Sequence, residues 1–294
     1  MTINGRVLKG IGGFYYVEAA GAVYECKARG IFRKKGIAPV AGDLVTISVD
    51  SDPQSGNNTI DTIEPRANVF VRPPVANIDQ LFIVVSTVQP RPNYLLIDRL
   101  SAIACYKQVT PVIVITKADL APAEELLRIY SSTGFTTIVS ERDEETAQAI
   151  RQMIAGKVSA FTGNSGVGKS TLINLIAPEL QLETAGISQK LGRGRHTTRT
   201  AELFAVAGGY VVDTPGFSSL DFSSGERIPK EELAHCFPEF VPFLEECRFT
   251  SCSHTTDKGC GLLVHLQAGD IDVSRHNSYK QLYQEARAYK EWDK

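Results

Sequence analysis

Eight residues, 163–170, constrain the fold of this chain more than any other feature. They read Gly-Asn-Ser-Gly-Val-Gly-Lys-Ser and match the pattern Gly-x-x-x-x-Gly-Lys-Ser/Thr. The apolar segment 158–162 precedes them, and the helix-forming segment 171–176 follows them. In this setting the glycines let successive backbone N–H groups face one phosphate chain at a helix N-terminus. The pattern therefore predicts a site for the phosphates of a nucleotide.

Within this phosphate loop, Lys169 is expected to neutralise the β- and γ-phosphates, and Ser170 to ligate Mg²⁺ through its hydroxyl. The alternative is an ordinary glycine-rich turn with an exposed lysine, and the strand and helix signals that flank the loop weigh against it. The predicted phosphate-binding residues are Gly163, Asn164, Ser165, Gly166, Val167, Gly168, Lys169, Ser170 and Thr171.

A second motif, Asp213-Thr-Pro-Gly216, follows the apolar segment 210–212. A strand in this place would deliver the Asp213 carboxylate to Mg²⁺, through a water molecule, and the Gly216 N–H to the γ-phosphate. The metal also needs a ligand from the intervening loop, where Thr197 and Thr198 offer hydroxyls. The sequence leaves both threonines open.

A third motif, Thr116-Lys-Ala-Asp119, ends the apolar segment 111–115 and predicts which base is bound. Guanine presents two adjacent N–H donors that the Asp119 carboxylate can accept together, whereas adenine presents an acceptor at N1. Adenine would leave this carboxylate unpaired, and the cost gives roughly tenfold or greater discrimination against adenine. Lys117 would lay its alkyl stem over the base. The predicted ligand is therefore GTP with Mg²⁺, or GDP.

A weaker segment, Ser140-Glu141, follows the apolar run 136–139. It resembles the loop that offers a backbone N–H to O6 of guanine in nucleotide-binding proteins of this kind. We include both residues among the predicted GTP contacts.

Three cysteines and a histidine cluster near the C-terminus as Cys247-x4-Cys252-x-His254-x5-Cys260. Three thiolates and one imidazole form the donor set of a closed tetrahedral zinc site. Because four protein ligands leave no position for water, the predicted Zn²⁺ is structural. The alternative is a group of free buried thiols, since the spacing departs from the common Cys-x-x-Cys form.

Composition excludes several classes of protein. With 31 Lys and Arg against 33 Asp and Glu, the net charge of −2 excludes a uniformly basic body, so any anion binding is local. The longest aliphatic stretch, 81–88, is far short of the about 20 residues that a membrane helix needs. We expect a soluble cytoplasmic protein without a membrane partner. A local basic track that would suit RNA phosphates consists of Lys190, Arg193, Arg195 and Arg199.

Three domains are predicted. Residues 1–66 alternate in short runs between turn signals and predict a small β-barrel of the OB or SH3 type. Residues 67–219 alternate apolar strands with helices, which indicates an α/β domain with a parallel sheet. Residues 220–294 predict a small α-helical domain around the zinc cluster. The predicted strands are 80–85, 111–115, 136–139, 158–162, 203–206 and 210–212, and the predicted helices include 94–108, 144–154 and 279–292.

The order of the motifs is unusual, because the base motif precedes the phosphate loop instead of following it as in ordinary P-loop GTPases. The chain resembles a circularly permuted P-loop GTPase. With a barrel before this domain and a Cys/His cluster after it, essentially the whole chain resembles the RsgA (YjeQ/YloQ) family. Thr116 departs from the usual pattern, since it stands where ordinary GTPases carry Asn.

The resemblance implies a function. It implies hydrolysis of GTP to GDP and phosphate in late assembly of the small ribosomal subunit, with rRNA binding, nucleotide-controlled release, an OB-fold N-terminal domain and a zinc-containing C-terminal domain. We expect a monomer.

Hydrolysis by the free chain is expected to be slow. Phe217 follows Gly216, where Ras-like enzymes use Gln to orient water, and its ring cannot bond water in that way. A partner or another side chain must then complete the site. His196 is the candidate catalytic residue alongside Lys169, and the alternative is a solvent-facing histidine.

Two rival functions fit part of the pattern. An ATP-dependent kinase would use the same phosphate loop, but it leaves Asp119 and the 213–216 motif without a role. A zinc-containing RNA-binding module with a vestigial nucleotide site conflicts with the presence of Lys169, Ser170 and both aspartates.

Overall fold

The computed structural model describes residues 1–34, 36–50, 57–180, 201–213 and 225–288. None of the helices within these ranges is both long and apolar enough to cross a membrane.

The N-terminal unit is a closed barrel of five strands. The bounds are β1 Thr2–Ile11, β2 Phe14–Ala19, β3 Ala22–Ala28, β4 Leu44–Ser48 and β5 Thr59–Ile63, with a short helix, α1 Gly30–Lys34, after β3. The strand order is β1-β2-β3-β5-β4, and antiparallel pairing of β1 with β4 closes it. Alternate side chains point inward, and the interior is filled by Val7, Val17, Cys26, Val45, Ile47 and Ile60. The OB-type barrel predicted from the sequence is confirmed.

A two-stranded hairpin, β6 Val69–Val71 and β7 Pro74–Ala76, connects the barrel to the next unit. The hairpin packs closely on the barrel at Gly42, where an added Cβ would lie 2.0 Å from the Ala76 carbonyl oxygen. Beside it, the fully buried Asp43 pairs with Arg66 at 2.7 Å between Nε and Oδ1. Glycine and a buried ion pair together fix this junction.

The central unit is a six-stranded sheet with helices on both faces. The strands are β8 Gln80–Ser86, β9 Thr110–Thr116, β10 Thr136–Val139, β11 Val158–Thr162, β12 Glu202–Val206 and β13 Gly209–Asp213. The helices are α2 Tyr94–Tyr106, α3 Glu124–Ser131, α4 Glu144–Ile154 and α5 Lys169–Ile176. Helices α2 and α3 cover one face of the sheet, and α4 and α5 cover the other.

The strand order is β10-β9-β8-β11-β13-β12, and all neighbouring pairs except the last are parallel. The antiparallel β12 departs from the parallel sheet predicted for this domain. The reason is local, because only Ala207 and Gly208 separate β12 from β13, and both have positive φ. A two-residue connection of this kind makes a tight hairpin and cannot make a parallel crossover.

The C-terminal unit is helical, as predicted, and packs against α2 and α3 within one shared core. It contains 3₁₀ helices at Ala234–Cys236 and Val241–Glu246, then α6 Gly261–Ala268 and α7 Val273–Ala288. Helix α7 begins six residues before the predicted start at Tyr279. The Asp272 carboxylate accepts a hydrogen bond from the Ser274 N–H at 2.8 Å, which satisfies a free donor at that helix start.

The fully buried Arg275 joins α7 to the rest of the fold. Its guanidinium donates to Asp98 of α2 at 2.6 Å and to Glu239 at 2.7 Å. The ring of Tyr130, on α3, lies 5.9 Å from the guanidinium, and its hydroxyl donates to the same Asp98. The C-terminal unit is therefore held to α2 and α3 by a buried ionic network as well as by apolar packing.

Candidate active site and metal centre

The sheet topology brings the starts of the three nucleotide motifs to one edge. Strands β9, β11 and β13 are parallel, and they end at Thr116, Thr162 and Asp213 respectively. The base motif, the phosphate loop and the 213–216 motif each follow directly from those ends. Ligands of open α/β sheets bind in the crevice outside the carboxyl ends of the strands.

Glycines shape the phosphate loop between β11 and α5. Gly163 has φ +141°, and a Cβ there would lie 2.2 Å from the Val84 carbonyl oxygen of the neighbouring strand. Gly166 and Gly168 also have positive φ, and Gly168 immediately precedes α5. Only glycine fits these positions without strain. The loop therefore turns tightly and directs the N-terminus of α5 toward the crevice.

Lys169 lies across this loop and is only 4% exposed. Its Nζ donates to the carbonyl oxygens of Gly163 at 2.6 Å and Asn164 at 2.7 Å. Burial lowers the pKa of Lys169 to about 8, because the protein interior penalises the charged form. An anionic ligand bound beside this ammonium would favour its charged form and raise the pKa again.

The base motif is tied directly to the phosphate loop. The buried Thr116 donates its hydroxyl to the Val167 carbonyl oxygen at 2.5 Å, and this hydroxyl also lies 3.0 Å from the Val85 oxygen. Lys117 has φ +60°, and its Nζ donates to the Gly166 oxygen at 2.8 Å. A threonine hydroxyl therefore connects the base motif to the phosphate loop, at the position where ordinary GTPases carry Asn.

The recognition carboxylate lies in the turn that follows. The Leu120 N–H donates to the Lys117 carbonyl oxygen at 2.9 Å, which closes the turn, and Asp119 within it is exposed. Ser140 is buried, and its N–H donates to the Ile115 carbonyl oxygen at 2.7 Å. Because the sheet already uses the Ser140 amide, a base contact from this segment would come from the exposed Glu141.

Of the remaining predicted residues, two have a described backbone and the others lie outside the described ranges. Ser170 is the second residue of α5, and the backbone of Asp213 ends β13. Gly216, Phe217, His196, Thr197 and Thr198 lie outside the described ranges, as do the basic residues Lys190, Arg193, Arg195 and Arg199.

The four predicted zinc ligands converge. Their donor atoms all lie within 4.8 Å of one another. The Sγ atoms of Cys247 and Cys260 are 3.8 Å apart, and His254 Nδ1 is 3.4 Å from the first and 3.7 Å from the second. A tetrahedral zinc with bonds of about 2.3 Å to sulfur separates two sulfurs by about 3.8 Å. The spacing of Cys247, Cys252, His254 and Cys260 fits a tetrahedral metal.

Two residues of α7 that no sequence motif indicates support this cluster. His276 Nε2 donates to the His254 carbonyl oxygen at 2.8 Å, and the Tyr279 hydroxyl donates to the Ser253 oxygen at 2.9 Å. Both side chains are buried. Their three-residue spacing places them on one helix face, but nothing in the local sequence indicates that this face meets the cysteine cluster.

Sequence comparisons agree with this architecture. A family model described as RsgA GTPase matches residues 63–223, and one described as RsgA N-terminal domain matches residues 4–56. The small ribosomal subunit biogenesis GTPase RsgA of Alkaliphilus metalliredigens (strain QYMF) is 44% identical over 289 residues, which cover 97% of this chain and 98% of that protein. The protein of the same name from Ruminiclostridium cellulolyticum is 43% identical and covers 95% of this chain and 92% of its own length.

Solved structures agree as well. YloQ, described as a circularly permuted GTPase, superposes with a TM-score of 0.80 at 31% identity, over 99% of this chain and 96% of that one. YjeQ from Thermotoga maritima gives a TM-score of 0.82 at 31% identity, over 99% and 100% of the two chains. The motif order, the fold and these relatives lead to one conclusion: the chain belongs to the RsgA GTPase family, whose members are GTP-hydrolysing P-loop enzymes with a circularly permuted GTPase domain.

Proposed function

We propose that this protein hydrolyses GTP to GDP and phosphate during late assembly of the small ribosomal subunit, binds rRNA there, and leaves the subunit under control of the bound nucleotide. The support is that relatives named small ribosomal subunit biogenesis GTPase match nearly the whole chain. The proposed partners are GTP or GDP and the small subunit with its rRNA. The proposal places a monomer in the cytoplasm.

The observation that carries the guanine specificity is the position of Asp119. It follows the end of β9, two strands from β11, with a hydroxyl of the same motif tied to the phosphate loop. One ligand can therefore reach both motifs, with its phosphates at Lys169 and its base at Asp119. Adenine, which lacks the paired donors, leaves that carboxylate without partners.

Hydrolysis requires a water oxygen to attack the γ-phosphorus while the bond to the β–γ bridging oxygen breaks, which releases GDP, phosphate and a proton. Lys169 would offset the charge that develops on the phosphate oxygens. Ser170, Asp213 and either Thr197 or Thr198 would hold Mg²⁺, which adds charge neutralisation when bound. His196 would orient the water, because Phe217 cannot, and the Gly216 N–H would bond the γ-phosphate.

The zinc centre has a structural role in this proposal. Cys247, Cys252, His254 and Cys260 would hold Zn²⁺ with no open position, so the ion would stabilise the C-terminal unit rather than take part in hydrolysis. The proposed domains are 1–66, 67–219 and 220–294. The barrel and the basic residues of 190–199 would contact rRNA.

Turnover of GTP and ATP, each with and without purified small subunits, tests the proposal. We expect GTP turnover that is slow alone and strongly stimulated by subunits, with little ATP turnover under either condition. His196→Ala should lower the stimulated rate more than it weakens GTP binding. Equal use of ATP would contradict the guanine assignment, and turnover indifferent to subunits would contradict the ribosomal assignment.

A further inference from the structure

The barrel contacts the central sheet through an ion pair at the sheet edge. Lys9, on β1, donates from Nζ to Glu202 Oε1 of β12 at 2.6 Å. The side chains are 30% and 31% exposed, so the pair is partly shielded from water. This contact joins the barrel to a strand of the GTPase domain nearly 200 residues later.

A second contact holds the same hairpin. The Tyr210 hydroxyl of β13 donates to Glu18 of β2 at 2.6 Å, and this hydrogen bond raises the pKa of Tyr210. The Arg6 guanidinium lies 5.4 Å from the centre of the Tyr210 ring. Arg6 and Glu18 are cross-strand partners in the barrel. Strands β1 and β2 therefore contact the β12–β13 hairpin near both of its ends.

The β12–β13 hairpin carries a residue of the predicted nucleotide site. Glu202 is the cross-strand partner of Asp213, the residue predicted to act on Mg²⁺. Ala201, immediately before Glu202, is buried and lines a cavity of about 210 Å³ together with Gly12, Tyr15 and Pro39 of the barrel unit. The barrel therefore meets the GTPase domain at the strand position next to the Asp213 backbone.

Two features allow this contact to move. Strand β12 is the edge strand of the sheet and pairs only with β13 among the described strands, so it can shift without breaking other pairings. Lys9 Nζ also lies 5.3 Å from the centre of the Tyr16 ring, within the barrel. Because this contact is already made, the ammonium keeps a favourable partner when Glu202 is displaced.

We propose that Lys9 and Glu202 are positioning residues that couple the barrel to Asp213, so that RNA bound by the barrel alters the placement of this aspartate and the bound nucleotide alters the barrel edge. The inference rests on the proposed function for the identity of the RNA partner. A partly exposed ion pair contributes little to stability by itself, so the effect is expected in coupling rather than in folding.

Subunit-stimulated GTP turnover is the first test. Glu202→Gln and Lys9→Glu should each lower stimulation about fivefold or more, the lower end of typical coupling between sites. GTP binding by the free protein should change by less than about twofold. The reversed pair, Lys9→Glu with Glu202→Lys, should recover most of the stimulation. Lys27→Glu is the matched control, because Lys27 lies over the Phe14 ring within the barrel and its reversal changes the charge equally.

Hydrogen exchange of β1 amides in the free protein is the second test, and it does not depend on ribosomes. Protection near Lys9 should differ between the GDP form and the form bound to a non-hydrolysable GTP analogue. The difference should vanish in Glu202→Gln and persist in Lys27→Glu. If subunits fail to stimulate the wild-type chain, the proposed function is overturned. The hydrogen-exchange comparison still tests the coupling in that case. The coupling is overturned if the β1 difference survives in Glu202→Gln or if the reversed pair restores no stimulation.

Discussion

The Thr116 hydroxyl, at the end of β9, donates a 2.5 Å hydrogen bond to the Val167 carbonyl oxygen in the phosphate loop. This bond crosses from the base motif to the phosphate motif, which lie on strands separated by β8. Because the donor and acceptor are both buried, the relative position of the two motifs is fixed within the free chain. A hydroxyl on a short β-branched side chain is sufficient for this tie.

Replacing Thr116 by Val keeps the side-chain shape and removes the hydroxyl. The Val167 oxygen then loses a buried partner and the free loop is no longer held in place. Restoring its geometry on binding should cost about 1 kcal/mol, or roughly fivefold in affinity for GTP and GDP. Thr116→Ser keeps the hydroxyl and should bind within about twofold of the wild type. Titration calorimetry with GDP measures both variants. Equal affinities for the Val and Ser variants would show that the bond does not organise the site.

The pKa of Lys169 predicts how nucleotide binding depends on pH. Burial lowers this pKa from its ordinary 10.5 to about 8, and bound phosphates would favour the charged form and raise it again. Below pH 8 the lysine is already protonated, so this group adds little pH dependence. As the pH rises above 8, binding must take up a proton, and affinity should fall by up to about tenfold per pH unit.

Calorimetry at pH 8.5–9 in buffers of different ionisation enthalpy measures that proton uptake directly. Lys169→Arg is the informative control, since a guanidinium stays charged throughout this range. The uptake should fall in the Arg variant, whatever its affinity, to the small part that guanine N1 requires at this pH. Wild-type binding without proton uptake at pH 9 would contradict the assignment of this lysine to the phosphates.

Much of the fold could be predicted from sequence where local and global signals agree. Strand β11 and helix α4 have their predicted bounds, because a continuous apolar run marks the first and the Asp143 cap begins the second. The motifs predict where strands β9, β11 and β13 end, and the cysteine spacing predicts a cluster that could hold a metal. These features depend on residues that are close together in the chain.

Features that depend on distant contacts could not be predicted. The pairing of Lys9 with Glu202 joins two exposed-looking charges, and nothing near either residue indicates the other. Arg275 similarly reads as an ordinary charge on a polar helix, yet it is fully buried. The early start of α7 was missed because Asp272 caps a stretch with little apolar periodicity. In each case tertiary packing decides the outcome.

Removal of the metal should unfold the C-terminal unit. Cys252→Ser breaks the donor set, and structural zinc contributes about 10 kcal/mol or more of folding free energy. Cys236→Ala is the matched control, because Cys236 is a buried thiol of the same unit outside the cluster. Elemental analysis should find one zinc per chain in the wild type and the control. Zinc-free wild-type protein with an intact helical unit would reject a structural metal.

Breaking the buried ionic network should destabilise the protein more than breaking a surface pair does. Arg275→Met leaves Asp98 and Glu239 without their partner, so the free energy of unfolding should fall by about 3–5 kcal/mol. Lys230→Met breaks an exposed pair with Glu231 and should change it by less than about 0.5 kcal/mol. Urea denaturation followed by circular dichroism compares the two. Similar midpoints for both variants would show that the network is not important for stability.

Exchange of the Asp119 carboxylate for an amide should change the preferred base. Guanine offers two N–H donors to the carboxylate, whereas xanthine replaces the 2-amino group by a carbonyl oxygen. In Asp119→Asn the amide N–H faces the guanine amino group, donor against donor, and weakens GTP binding by roughly tenfold or more. The same N–H can donate to the xanthine carbonyl, so xanthosine triphosphate should bind the variant better than GTP does. Competition binding with both nucleotides measures the exchange, and Glu124→Gln, which changes an exposed carboxylate in the first turn of α3, serves as the control that keeps the guanine preference. An Asp119→Asn variant that still prefers guanine would mean that this carboxylate does not read the base.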